Sequence, residues 1–405
     1  MNVKRAFLSV LALLLFGLQA TNAAAALTPK QQLGKLLYFD KKLSINQNQS
    51  CSSCHLPGAG FADPDQNLPV SEGSIPGLFG TRNAPTASYA VFSPFFYYDS
   101  VAGMYLGGQF WDGRANSLAE QAQGPFLNPV EMAMPDKHSV LMAIASRRNP
   151  NKGIYANLFM QVYGIEMIDF QSTNPVLVDA IYAKVTDAIG DFEKSSEVSP
   201  FSSRFDQWLA TGTGVTADEL AGMVLFNTDF AQGGAGCFLC HPSAPTIAPD
   251  GTVMPPLFTD FTYDNLGIPK SNEFPIADNP IDYGLGARPD IVAFDPTPIV
   301  LADGTKISHF EAGKFKVSSL RNIGATAPYG HNGYFKTLKD IVHFYNARDV
   351  DPAIAPPEVP LNMNTGELGN LGLTPAQEDQ IVAFLLTLTD GAVAPQFSFP
   401  FPPSP

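Results

Sequence analysis

The sequence is poor in cysteine, histidine and tryptophan: its 405 residues hold four Cys, six His and two Trp. The cysteines stand in two tight pairs, Cys51 with Cys54 and Cys237 with Cys240, each followed at once by His, so none is left for a structural disulfide. Positive charge is also short. With 24 Lys and Arg against 38 Asp and Glu, the net charge is −14 and the pI near 4.8. Such a surface repels nucleic acid and anionic lipid, and it leaves room only for a partner that presents a positive patch. Long apolar runs are missing too. Beyond the N-terminus no stretch reaches the roughly 18 apolar residues that a spanning helix needs, so the mature chain is expected not to span a membrane. The N-terminus itself reads Met1-Asn2-Val3-Lys4-Arg5, then an apolar run from Phe7 to Leu18, then small residues through Ala26. This is the three-part pattern of a secretory signal, residues 1–25, and it predicts an exported, soluble protein in the periplasm.

Glycine and proline are plentiful, 34 and 35 residues, and 45% of the chain is apolar. Elements joined by long, structured loops follow from that balance. The length suits two or three units. Three capping sequences predict helix starts: Thr28-Pro29-Lys30-Gln31, Thr216-Ala217-Asp218-Glu219 and Thr374-Pro375-Ala376-Gln377. In each, the Thr hydroxyl accepts from a backbone N–H while the Gln or Glu reaches back. The first two precede the two cysteine pairs, as a weak internal repeat. Val178, Ile181, Val185, Ile189 and Phe192 recur at helical spacing and predict a helix over 176–192. No region alternates for long, so the expected fold class is mainly α. The Gly- and Thr-rich stretch 211–215 reads as a linker, which divides the chain into units 26–213 and 214–392 with a Pro-rich tail, 393–405.

Cys51-Ser52-Ser53-Cys54-His55 and Cys237-Phe238-Leu239-Cys240-His241 match C-x-x-C-H, the attachment signature of c-type haem. Two thiols add across the vinyl groups and the His becomes the proximal iron ligand. One C-x-x-C alone would equally suit a redox dithiol or half a zinc site. Two copies with His behind an export signal point to two covalently bound haems. The opposite axial position then decides between electron transfer and ligand chemistry. Only His138, His309, His331 and His343 lie outside the motifs, and none falls between His55 and His138. The first haem is expected to stay open.

The stretch from Gly108 to Met132, with Gln109-Phe110-Trp111-Asp112-Gly113-Arg114 and Gly124-Pro125-Phe126-Leu127-Asn128-Pro129-Val130-Glu131-Met132, joins both haem motifs and the segment 315–346 in resembling the bacterial di-haem cytochrome c peroxidase and MauG superfamily. The segments 57–63 and 82–86 are similar to its MauG side. The resemblance implies two cytochrome c-like domains whose haems face a shared interface. It places Gln121, Pro125 and Glu131 in the distal pocket of the peroxidatic haem, with Glu131 as the acid–base residue that moves a proton between the peroxide oxygens. It makes Trp111 an electron relay between the haems. It puts Tyr345, fourteen residues after His331 of Ala327-Pro328-Tyr329-Gly330-His331, at the axial position of the second haem, where the peroxidases carry Met and MauG carries Tyr. It further implies a calcium ion held by the Asn83 side chain and the carbonyls of Thr326 and Pro328, an all-oxygen set that suits a hard cation. Read from the residues alone, Glu131 is equally a solvated carboxylate, Trp111 and Tyr345 packed aromatics, and Met254 and Met363 competing ligands.

The function these readings predict is a periplasmic di-haem oxidoreductase that uses hydrogen peroxide at the His55 haem. Its electrons come from a small cytochrome c or copper protein through Trp111 and the His241 haem. MauG-like oxidation of aromatic residues in a partner protein is the alternative, and a di-haem electron carrier without peroxide chemistry is a third.

Overall fold

The computed structural model describes residues 26–247 and 253–391. The expected signal segment 1–25 and the tail 393–405 lie outside the described residues. Helices dominate, as the sequence predicts. In the first half these are α1 (Pro29–Phe39), α2 (Cys51–Cys54), α3 (Leu118–Gln121), α4 (Gln123–Leu127), α5 (Lys137–Ala145), α6 (Lys152–Tyr163) and α7 (Pro175–Glu193). The second half holds α8 (Arg204–Thr211), α9 (Ala217–Phe226), α10 (Pro289–Phe294), α11 (Leu338–Ala347) and α12 (Pro375–Leu386).

All three expected capping boxes form. Thr28, Thr216 and Thr374 each accept from the backbone N–H three residues on, and Gln31, Glu219 and Gln377 each reach back to the cap's own N–H. Each such cap contributes about 1 kcal/mol to fixing where a helix begins. Helix α7 starts at Pro175 behind the Asn174 cap and buries Val178, Ile181, Val185, Ile189 and Phe192.

The two halves repeat one packing device. Six residues after the Thr cap stands a glycine, Gly34 in α1 and Gly222 in α9. A Cβ on Gly34 would meet the Ala188 carbonyl oxygen of α7 at 1.8 Å, and one on Gly222 would meet the Gln380 oxygen of α12 at 1.8 Å. Backbones cross there too closely for any side chain, and each crossing sets the helix that leads into a cysteine pair.

Two cores result. One runs from Leu33 to Val198 and gathers α1, α5, α6 and α7; the other runs from Phe205 to Leu388 around Phe226, Phe258, Phe344 and Phe384. Helix α8 lies ahead of the 211–215 turn, yet its Phe205 packs edge-on against Phe258 and Phe384. We therefore propose that the division falls between Val198 and Phe205, because burial of Phe205 ties α8 to the second core more strongly than its chain position ties it to the first. The halves interlock: Arg82 bridges Asp112 and Asp282, and the Tyr89 hydroxyl donates to Asp390.

Among the described residues strands are minor and antiparallel, in four pairs. Strands β1 (Tyr97–Asp99) and β2 (Met104–Leu106) make a hairpin, β3 (Thr246–Ile247) pairs with β4 (Val253–Met254), β5 (Tyr263–Asp264) with β8 (Phe315–Lys316), and β6 (Ile299–Val300) with β7 (Lys306–Ile307). Among the described residues no helix is long and apolar enough to cross a membrane.

Candidate functional site

Each C-x-x-C-H motif closes into one helical turn, and the two turns are built alike. The His55 and His241 backbone N–H groups donate to the Cys51 and Cys237 carbonyls at 2.9 Å. Nδ1 of His55 lies 3.2 Å from the Phe61 carbonyl oxygen, and Nδ1 of His241 lies 2.8 Å from that of Phe258. A carbonyl only accepts, so Nδ1 carries the proton in both rings and Nε2 keeps its lone pair for a metal. Phe61 and Phe258 both sit in the left-handed region, at φ 60° and 54°. A non-glycine residue there costs on the order of 1 kcal/mol, which the fold bears in both halves to aim one carbonyl at one imidazole.

Burial holds the thiols protonated. It pushes Cys54, Cys237 and Cys240 up to about 12, and Cys51 higher still, helped by the carboxylate of Glu193. With neutral imidazoles beside buried thiols, both motifs suit covalent attachment of a c-type haem.

Around the second motif the structure opens a cavity of about 280 Å³. Cys237, Cys240 and His241 line it, as do Tyr345 from α11 and Trp111, Asn83, Thr326 and Pro328. Eight residues singled out from the sequence thus share one chamber. Met254 and Met363 are not among its lining residues. Burial raises the Tyr345 phenol far above its ordinary range, and the nearby Cys237 and Cys240 add to that. Only a cation would make it ionise. The Trp111 indole N–H donates to the Asn83 carbonyl at 2.8 Å, and its ring meets Phe315 edge-on at 6.5 Å. Asn83 Nδ2 donates to the Pro69 carbonyl at 3.1 Å.

A second repeat, which the sequence does not announce, relates the segments ahead of α3 and α11. Gln109 bridges Ala115, and Tyr329 bridges Phe335, six residues apart in both cases. Phe110 and Gly330, then Gly113 and Gly333, take positive φ, and Ser117 and Thr337 cap the helices that follow. From Leu118 and Leu338 onward both halves run ten helical or near-helical residues, to Leu127 and to Ala347. Helix α11 is unbroken, whereas its counterpart breaks at Ala122 into α3 and α4. Pro125 accounts for the break, since it has no N–H to give the Gln121 carbonyl and its ring crowds that turn. In this register Pro125 occupies the place that Tyr345 holds in α11, seven residues past the leucine. One half presents a phenol there; the other presents a side chain with no donor atom.

Glu131 follows from the same helix. Met132 N–H donates to the Pro125 carbonyl at 3.1 Å, which folds the chain back beside α4. The Glu131 carboxyl accepts from Asn128 Nδ2 at 2.6 Å. Burial raises it above the usual carboxylate range, while Asn128 and the Arg114 charge partly oppose this. Its charge is felt at both Cys51 and Cys54, so it faces the first motif. Gln121 is half-buried at the end of α3.

Three further groups carry no signal in the sequence. Glu193 closes α7 with a buried carboxyl whose Oε2 has no hydrogen-bond partner among the described residues, and burial pushes it up to about 8. Lys316, buried against the Gly108 carbonyl at 2.6 Å, is pushed down to about 8. His331 stacks on Phe315 at 3.8 Å, its Nε2 lies 3.1 Å from Glu358 Oε2, and it lines the same cavity as His241 and Tyr345. Each depends on tertiary burial, which spacing does not report.

The family model for di-haem cytochrome c peroxidase matches residues 28–213. Over 382 residues the chain is 36% identical to the methylamine utilization protein MauG of Paracoccus denitrificans, covering 90% of this chain and 89% of that protein. The chain belongs to the di-haem cytochrome c peroxidase and MauG superfamily. It is also 30% identical to the cytochrome c551 peroxidase of Nitrosomonas europaea, over 94% of this chain and 86% of that one. The crystal structure of the diheme peroxidase BthA from Burkholderia thailandensis superposes with a TM-score of 0.73 at 29% identity, covering 91% and 90% of the two chains. The protein is thus an enzyme of the peroxidase type, built for two haem groups on a mainly helical, cytochrome-like fold.

Proposed function

We propose that the protein is a periplasmic oxidoreductase that reduces hydrogen peroxide at the haem of Cys51, Cys54 and His55. The observation that carries this is that Pro125, which offers no donor, stands where the second half has Tyr345, with the buried carboxyl of Glu131 on the segment folded back beside it. Haem bound there supplies the Lewis-acidic, redox-active iron. The chain's own part would be to offer no donor atom at Pro125, to position peroxide with Gln121, and to move a proton between its oxygens at Glu131. Burial raises the Glu131 carboxyl above the usual carboxylate range, which eases its taking up and giving back that proton.

In the same reading Trp111 would carry electrons between the two haem sites, and the Tyr345 oxygen would be a ligand for the iron of the second, favouring its ferric state. Asn83 Oδ1, left available because Nδ2 is held by Pro69, joins the Thr326 and Pro328 carbonyls around a calcium ion. The donor is a small cytochrome c or copper protein. Tyr345 favours a second reading, MauG-like oxidation of aromatic residues in a partner protein, because a phenolate stabilises ferric iron and disfavours the ferrous second haem of a conventional peroxidase cycle.

Adding peroxide to the diferric holoprotein, with and without reduced cytochrome c, tests these readings. Fast peroxide consumption with oxidation of the cytochrome supports the first, and consumption that leaves the cytochrome reduced supports the second. No reaction with peroxide overturns both and leaves an electron carrier.

A further inference from the structure

The hairpin β1–β2 presents aromatic side chains to solvent. Phe95, Tyr97, Tyr98 and Met104 are exposed, and residues 93–107 contain a single charged side chain, Asp99. Of these, Tyr98 begins a series of ring contacts that runs inward to Tyr263, from which the backbone ladder rather than a ring contact leads on to Trp111. Tyr98 and Tyr105 are cross-strand partners with ring centroids 4.9 Å apart. Tyr105 stacks on Phe96 at 5.2 Å, and Phe96 meets Tyr263 edge-on at 5.8 Å. Tyr263 lies on β5 opposite Lys316, whose N–H donates to the Trp111 carbonyl at 2.8 Å, and the next pair of the same ladder sets Asp264 against Phe315, the ring that Trp111 touches.

The protons decide which way oxidising equivalents run along this series. An oxidised phenol or indole is far easier to keep if its proton can leave. The Trp111 N–H donates to the Asn83 carbonyl, and the Tyr263 hydroxyl donates to the Gly107 carbonyl at 2.5 Å. A carbonyl oxygen does not take up that proton, so neither site holds an oxidised state for long. Phe96 serves only as a bridge, and the Arg288 guanidinium 3.9 Å over its face disfavours a positive hole there. At the hairpin the situation reverses. The Tyr98 and Tyr105 hydroxyls bond to no group among the described residues, and Tyr98 is 52% exposed, so water accepts the proton.

We propose that the Tyr98–Tyr105 pair is a surface oxidation site, fed from Trp111 through Tyr263 and Phe96, at which small uncharged phenols give electrons to the enzyme. The apolar, nearly uncharged hairpin suits an aromatic reductant, and a phenol exchanges a hydrogen atom with a tyrosyl radical at little energetic cost. The overall reaction balances as one hydrogen peroxide and two phenols giving two waters and two phenoxyl radicals. The O–O bond breaks, each phenol loses one electron and one proton, and both oxygens leave as water. The proposal rests on the peroxide reading above.

The test uses holoprotein, hydrogen peroxide and 2,6-dimethoxyphenol as the probe, comparing the native chain with Tyr98→Phe, Tyr105→Phe and the double variant. Peroxide consumption, phenol oxidation and the freeze-quenched tyrosyl signal are followed together. The expected result is that the double variant loses most phenol oxidation and the tyrosyl signal, while its first reaction with peroxide keeps the native rate. Phenol oxidation at the native rate in the double variant overturns this proposal alone. A native protein that does not consume peroxide overturns the peroxide reading and the surface site together.

Discussion

Glu193 offers a sharp test of how this fold holds charge. Its side chain is 5% exposed at the end of α7, its Oε2 has no partner among the described residues, and burial pushes its pKa from 4.5 up to about 8. Between those values the folded protein keeps a proton that the unfolded chain releases. Stability is therefore fullest below pH 4.5, falls as pH rises through the window, and has lost the whole contribution above about pH 8. At about 1.36 kcal/mol per pH unit, the interval sets an upper bound of about 5 kcal/mol. Glu193→Gln removes the titration. The variant leaves a buried amide short of partners, which costs about 1–3 kcal/mol at every pH. Urea unfolding of the holoproteins from pH 5 to pH 9, followed by far-UV circular dichroism, should show the variant weaker at pH 5 and closing on or passing the native protein by pH 9. Parallel profiles would refute the claim that Glu193 is buried without a compensating charge.

Three other outcomes follow from the site. Tyr345→Met should raise the reduction potential of the second haem, because a thioether favours ferrous iron where a phenolate favours ferric; potentiometric titration reads the shift, and an unchanged potential rules Tyr345 out as the ligand. Pro125→Tyr should rejoin α3 and α4 and set a phenol over the first haem, slowing peroxide binding in stopped-flow mixing; a native rate would break the equivalence between Pro125 and Tyr345. Chelation of calcium should lower the melting temperature of the native protein but leave Asn83→Ala, already weakened, nearly unmoved.

The sequence carried the parts of this fold that rest on local chemistry. Capping boxes at Thr28, Thr216 and Thr374 mark three helix starts because side chain and backbone satisfy each other within four residues. The mainly helical class and the two attachment motifs are legible for the same reason. What spacing does not report is closeness in space. The linker reading at 211–215 puts α8 with the first unit, while Phe205 packs it on the second core. The repeat that matches Pro125 to Tyr345 is masked because its anchor residues differ, Gln109 with Ala115 against Tyr329 with Phe335, and only the shared bridge and positive φ values expose it. The hairpin shows no alternation long enough to announce a strand. Glu193 and Lys316 look like ordinary surface charges until burial is known.

The central claim is that Glu131 works as acid and base over an open first haem, and the most direct measurement is the rate at which the diferric holoprotein reacts with hydrogen peroxide in native and Glu131→Gln forms. Gln keeps the shape and the bond from Asn128 but cannot exchange a proton. A fall of about 10²–10⁴-fold in the variant, with an unchanged resting spectrum, is the expected result. Equal rates in the two proteins would contradict it.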